Sequence, residues 1–166
     1  TAMNDGRFAE SACLRARGTA KEGKVAFAEL FFDLVFVLTI IQLSHSLAAH
    51  YSLLGLVEAA MLTMAIWWVW IDTTWVTNWL DPDKAPVRLL LFVLMFLGLM
   101  LSIAIPTAFG EGGLLFALTF VAMQVGRSAF TAYVMRRDWP ENSLNFTRIT
   151  VWTLFSAVFW LAGAFV

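Results

Sequence analysis

Glu29, Asp33, Asp72 and Arg127 are ionisable side chains set inside long apolar runs. At the centre of a bilayer such a group costs about 2.5–3.5 kcal/mol on insertion scales, so it faces a bundle interior or a wet cavity and finds a partner there. Glu29 and Asp33 stand four residues apart, about 40° around a helix axis at 100° per residue. Ser44 shares their face, about 20° from Asp33, whereas His45 lies about 120° away. Further along the chain, Trp68, Asp72, Trp75 and Trp79 make one helical stripe. Gln124, Arg127 and Thr131 make a second, and Asn145, Arg148 and Trp152 a third. Three carboxyls against one buried guanidinium leave surplus negative charge unless Arg148 joins them or one acid keeps its proton. That chemistry suits a cation or a proton. The competing reading is a buried salt-bridge cluster, Asp33 or Asp72 with Arg127, that pins helix register.

Helices must position these groups, and the composition says in what solvent. Of the 166 residues 60% are hydrophobic and 14% charged, against roughly 25% charged in an ordinary soluble domain. A spanning helix needs about 20 apolar residues. Five runs qualify, at about 25–50, 54–80, 86–109, 113–136 and 144–166. Asp81-Pro82-Asp83, Pro106 with Gly110-Glu111-Gly112-Gly113, and Asp138-Trp139-Pro140-Glu141-Asn142 punctuate them. The fold class expected is therefore an all-α integral membrane bundle of about five transmembrane helices. The connections are short, so successive helices are expected to be antiparallel neighbours. Asp33 lies eight residues beyond Val25, Asp72 eight before Leu80 and Arg127 nine before Arg136. At 1.5 Å per residue each is about 12–14 Å from the same end of its helix, which brings three charges from three helices to one level.

Basic residues set the orientation. Arg7, Arg15, Arg17, Lys21 and Lys24 precede the first run, Lys84 and Arg88 lie at the second connection, and Arg136, Arg137 and Arg148 lie at the fourth. The intervening connections carry none. The expectation is a cytoplasmic N-terminus, with residues 1–24 as a polar tail holding the lone Cys13. The first run exceeds a signal-peptide h-region and holds Glu29 and Asp33, which argues against a cleaved leader. The chain starts on Thr1 and stops on Phe165-Val166, so a fragment of a longer protein is expected.

Several chemistries find no support. A net charge of −1 gives no electrostatic footprint for nucleic acid. His45 and His50 stand five apart and Glu58 lies near the same end, which is poor convergence for a metal. There is no nucleophile elbow, zincin motif, P-loop or dinucleotide fingerprint, so neither an enzyme nor a cofactor is expected. Trp67, Trp68, Trp70, Trp75 and Trp79 crowd the second run. An interfacial belt and packing account for them, with a cation–π wall for the deeper three as the alternative. Ala122, Gly126 and Ala129 form a small-residue face suited to close helix contact.

Glu29-Leu30-Phe31-Phe32-Asp33-Leu34-Val35-Phe36-Val37, followed by Gln42-Leu43-Ser44-His45, resembles the opening of the bacterial low temperature requirement protein A family. The likeness continues through Trp67-Trp68-Val69-Trp70, Thr73-Thr74-Trp75, Asn78, Asp81-Pro82-Asp83 and Val87-Arg88-Leu89-Leu90. It then runs through Ile105-Pro106, Ala108-Phe109-Gly110 and Gln124-Val125-Gly126-Arg127-Ser128, and spans residues 25–166. The resemblance implies a multi-spanning protein of the bacterial inner membrane, of which this chain is the front half, tied to growth in the cold and to stress adaptation. It implies a process and no mechanism, and it marks the same Glu29, Asp33, Asp72 and Arg127. The site expected is those four, with Ser44, His45, Gln124 and Arg148 as secondary candidates. The function expected is movement of an ion or small solute through that cluster. The alternative is a structural, stress-adaptive membrane protein without flux, and a lipid-active enzyme is the least supported. The bilayer, the solute and a second copy of the chain are the expected partners.

Overall fold

The computed structural model describes residues 27–49, 51–136 and 139–165; the tail expected at 1–24 lies outside the described residues, as do His50 and Arg137. Five long helices follow one another: α1 Phe27–Ala49, α2 Leu53–Trp79, α3 Ala85–Ala104, α4 Gly113–Met135 and α5 Pro140–Gly163. Each is long and apolar enough to cross a membrane, and no strand occurs among the described residues. A bilayer core offers no water to backbone N–H and C=O groups, so a helix that satisfies them internally is the economical solution for such runs.

The ends follow from local chemistry. Ser52 caps α2, its hydroxyl accepting from the Gly55 N–H at 3.0 Å. The Asp81 carboxylate accepts from the Asp83 N–H at 3.0 Å and shapes the turn into α3, whose first turn takes Pro86 without loss because that N–H has no helical partner. Two boundaries differ from expectation. The third helix was expected to reach Phe109, but the α-helix stops at Ala104 and gives way to a 3-10 turn, Ile105–Thr107. Pro106 lacks an N–H and its ring excludes the carbonyl four residues back. Gly112 then folds onto that turn so closely that a Cβ there would lie 2.1 Å from Thr107 Oγ1. The fifth helix starts at Pro140 rather than near Leu144. Proline suits the first helical position, and Glu141 in the first turn complements the helix dipole.

Packing corrects one neighbour relation. α1 packs along α3 and against α2, and α4 packs on α3 and α5. α2 and α3 are joined by a short connection yet do not pack along their lengths. They meet near their joined ends, where Val76, Leu80 and Val87 cluster with Met135 of α4. Gly98 explains the preference of α3 for α1: a Cβ at that position would lie 2.9 Å from Val35 Cγ1. Phe32, Phe36, Ile66, Leu94, Leu101 and Met123 fill the interior between the four inner helices. α5 is the outlying helix, with Ser143 and Ala157 its buried residues. It is held to α4 by the Ser143 hydroxyl, which donates to the Ala132 carbonyl at 2.8 Å, and by Trp160 against Phe120 and Phe116.

Candidate functional site: an intramembrane arginine and the carboxylates around it

The inner face of α4 carries Gln124, Arg127, Ser128 and Thr131, all buried. Arg127 is 2% exposed and reaches across to α2. Its Nη1 donates to the Val69 carbonyl at 3.1 Å and to Thr73 Oγ1 at 3.0 Å. Its Nη2 donates to Asp72 Oδ2 at 3.0 Å and to Gln124 Oε1. Residues 69, 72 and 73 follow the i, i+3, i+4 spacing that places them on one helix face, so α2 presents a carbonyl, a carboxylate and a hydroxyl to one planar guanidinium. Thr73 is free to accept because its own proton goes to the Val69 carbonyl at 2.8 Å. A guanidinium is the cation suited to this task, since its donors lie in a fixed fork that one ammonium group does not reproduce.

Asp72 is the open member of the pair. Its side chain is 33% exposed against 2% for Arg127. Oδ2 takes the arginine, while Oδ1 has no partner among the described residues. Asp72 lies seven residues before the end of α2, about 10 Å along the axis, well inside the spanning segment.

Asp33 is held separately. Its Oδ1 accepts from Trp70 Nε1 at 2.8 Å, a bond that ties α1 to α2. Sequence reasoning placed Asp33, Asp72 and Arg127 at one level, and α2 carries both contacts, to Asp33 through Trp70 and to Arg127 through Asp72. Arg127 pairs with Asp72, and an indole N–H, not a cation, satisfies Asp33. Glu29, half-buried, stands one turn before Asp33 on α1. Of the secondary candidates, Gln124 belongs to the arginine cluster. Ser44 and His45 are exposed on the second half of α1 and Arg148 is exposed on α5. No hydrogen bond or ion pair among the described residues joins those three to the cluster; the Ser44 hydroxyl donates to the Ile40 carbonyl at 2.9 Å. Val69, Trp70 and Thr73 were not singled out as partners. The spacing of Val69 and Thr73 around Asp72 was visible, but nothing marks a backbone carbonyl or an indole as the acceptor or donor a buried charge will choose.

A cleft of about 690 Å³ opens beside the cluster, between α2, α4 and α5. Met61, Met64, Trp68, Trp152 and Trp160 form its walls, and Gln124, Thr153 and Ser156 are its polar points. Trp68 is exposed like Trp67 and Trp75 but lies on the cleft wall, and Trp79 meets Trp139 edge-on at 5.6 Å. The small face of Ala122, Gly126 and Ala129 points away from the bundle, with nothing within 4 Å of a Cβ built at Gly126. It makes no close helix contact among the described residues, because α4 uses its Arg127 face for that. A smaller cavity of about 330 Å³ lies at the other end of α2, beside Glu58, Glu111 and the 105–111 turn. No group of three or more His, Cys, Asp or Glu among the described residues could hold a metal ion.

Five spanning helices locked by a buried arginine–aspartate pair define a multi-pass α-helical membrane protein. Residues 24–166 match the model of the Bacterial low temperature requirement A protein (LtrA) family, and the chain belongs to that family. Among curated proteins it is similar to Uncharacterized protein RA0937 of Rhizobium meliloti (strain 1021), with 53% identity over 140 residues. That match covers 84% of this chain and 34% of the relative. The chain thus spans about one third of the relative's length, a smaller share than the half that the resemblance implied. No solved structure matches it.

Proposed function

We propose that this chain forms part of a bacterial inner-membrane protein that passes a small cation or proton along the polar track formed by Asp33, Asp72 and Arg127. The observation that carries this reading is the open edge of Asp72. A carboxylate one-third exposed at membrane depth is not left facing lipid. Its free oxygen calls for water, a further polar group or a cation. Arg127, whose two Nη nitrogens donate to four acceptors, is the fixed part of the track, and Asp72 and Asp33 are the parts a cation would engage. The reading involves no catalytic step and no cofactor. It links family membership to cold and stress adaptation through ion balance across the membrane.

The test is flux. Full-length protein in proteoliposomes is placed under pH and cation gradients, and wild type is compared with Asp72→Asn and Asp33→Asn. Flux lost in a well-folded Asp72→Asn variant supports the proposal. Flux that persists undiminished in both variants, or its absence in wild type, removes it. A structural role is the second reading, favoured by the four acceptors that hold the guanidinium. It expects no flux and a loss of helix packing when either charge is removed alone.

A further inference from the structure

Gln124 has a donor to spare. Its Oε1 accepts from Arg127, and its Nε2 has no hydrogen-bond partner among the described residues. The side chain is 5% exposed, and that remnant of surface belongs to the wall of the α2–α4–α5 cleft. That amide nitrogen is the group of the side chain left to donate into the cleft, so an occupant that supplies an oxygen would satisfy it.

Depth narrows what supplies it. Gln124 is the twelfth residue of the 23-residue α4, about 16 Å from either end, which is the middle of a hydrocarbon core about 30 Å thick. The ester and phosphate oxygens of a phospholipid lie in the interfacial region and do not reach it. The acceptor therefore belongs to a molecule dissolved in the membrane interior. The walls indicate its chemistry: Trp68, Trp152 and Trp160 offer aromatic surface, and the Met61 and Met64 thioethers offer polarizable contacts that favour aromatic partners. The volume, about 690 Å³, falls in the range of small-molecule sites, roughly 300–1,000 Å³. α5 contributes Trp152 and Trp160, and α2 and α5 do not pack along each other, so the cleft is open between those two helices.

We propose that this cleft binds an uncharged, membrane-dissolved ring carbonyl of the quinone class, with Gln124 Nε2 donating to its oxygen and the ring between the tryptophans and methionines. The site adjoins the cation track through the Gln124–Arg127 bond but does not require flux. The test uses an azido-benzoquinone with a decyl chain as photoprobe on full-length protein in proteoliposomes, with adducts mapped by mass spectrometry. Adducts concentrated on Met61, Met64, Trp68 and Trp152, and competed by the same quinone without the azide, are expected. Gln124→Glu keeps an acceptor for Arg127 but removes the donor, and labelling is expected to fall about tenfold, the worth of one hydrogen bond. Ser156→Phe fills the cleft from the exposed face of α5, where folding is not at stake, and is expected to abolish labelling. Adducts spread evenly over lipid-facing residues such as Phe31 and Phe96, or labelling unchanged by Ser156→Phe, overturns the proposal and leaves acyl chains as the occupants of the cleft.

Discussion

At the scale of single residues, the membrane interior turns hydrogen bonds into constraints, because water is not there to replace a lost partner. Arg127 shows this most directly. Removing it leaves Asp72 without its cation and strips acceptors at Val69, Thr73 and Gln124 of their donor. Breaking a buried pair from one side costs about 3–5 kcal/mol, whereas replacing both members with apolar groups is often close to neutral. Arg127→Leu is therefore expected to lower stability by about that amount, and Asp72→Leu combined with it to restore a substantial part. Thermal unfolding of the full-length protein in detergent checks this, and strictly additive losses would rule out the coupling. Asp33 makes a second, smaller case. Trp70→Phe deletes the indole donor to its carboxylate, and a hydrogen bond to a charged group contributes about 1.5–3 kcal/mol. Asp33→Asn is then expected to change stability less in the Trp70→Phe background than in wild type. Equal losses in both backgrounds would show that the bond does not matter.

At the scale of helices, association in lipid rests on close packing and polar contacts more than on burial of apolar surface, so one methyl group in the wrong place matters. Gly98 of α3 sits 2.9 Å, measured from a built Cβ, from Val35 Cγ1 of α1. Valine is stiff about χ1 and yields little. Gly98→Ala is expected to destabilise by about 1–3 kcal/mol, the usual cost of overpacking, and Val35→Ala in the same chain to recover most of it. A Gly98→Ala variant that unfolds at the wild-type temperature would remove Gly98 as the reason α1 and α3 pair. This contact also shows where sequence reading stops. The helices themselves were legible, because a bilayer demands about 20 apolar residues in a row and few sequences meet that by accident. The common depth of Asp33, Asp72 and Arg127 was legible from residue counts, but depth alone left Asp33 and Asp72 as equal partners for the arginine, and the structure pairs it with Asp72. The α1–α3 pairing was not, since the meaning of Gly98 depends on Val35 standing opposite it. Nor was the indole that satisfies Asp33, because a tryptophan in a membrane helix carries no mark that separates a donor from a packing residue. Ala122, Gly126 and Ala129 mislead for the same reason: small size permits close contact but does not say that a neighbour is there.

At the scale of the molecule, the alternation of five spans sorts the connections into two sets. Lys84, Arg88 and Arg136 fall in or beside one set, and Glu111 falls in the other, with Glu58 near the same end. Basic residues are retained on the cytoplasmic side, so the 80–84 and 136–139 connections are expected inside and the 50–52 and 105–112 connections outside. The orientation bears on function, because Asp72 is nearer the α2 end that carries the basic connection. Its open carboxylate oxygen would then be reached from the cytosol, a depth of about 10 Å, and not from the far side. The measurement is cysteine labelling of the full-length protein in intact cells, in a background where Cys13 and every other cysteine of that protein are replaced by Ser. Glu111→Cys is expected to react with a membrane-impermeant maleimide at once. Asp83→Cys is expected to react only after the membrane is permeabilised. The opposite pattern would place the basic connections outside, and a cation reaching Asp72 would then have to come from the external face, which reverses the direction of the track without altering the Asp72–Arg127 pair that defines it.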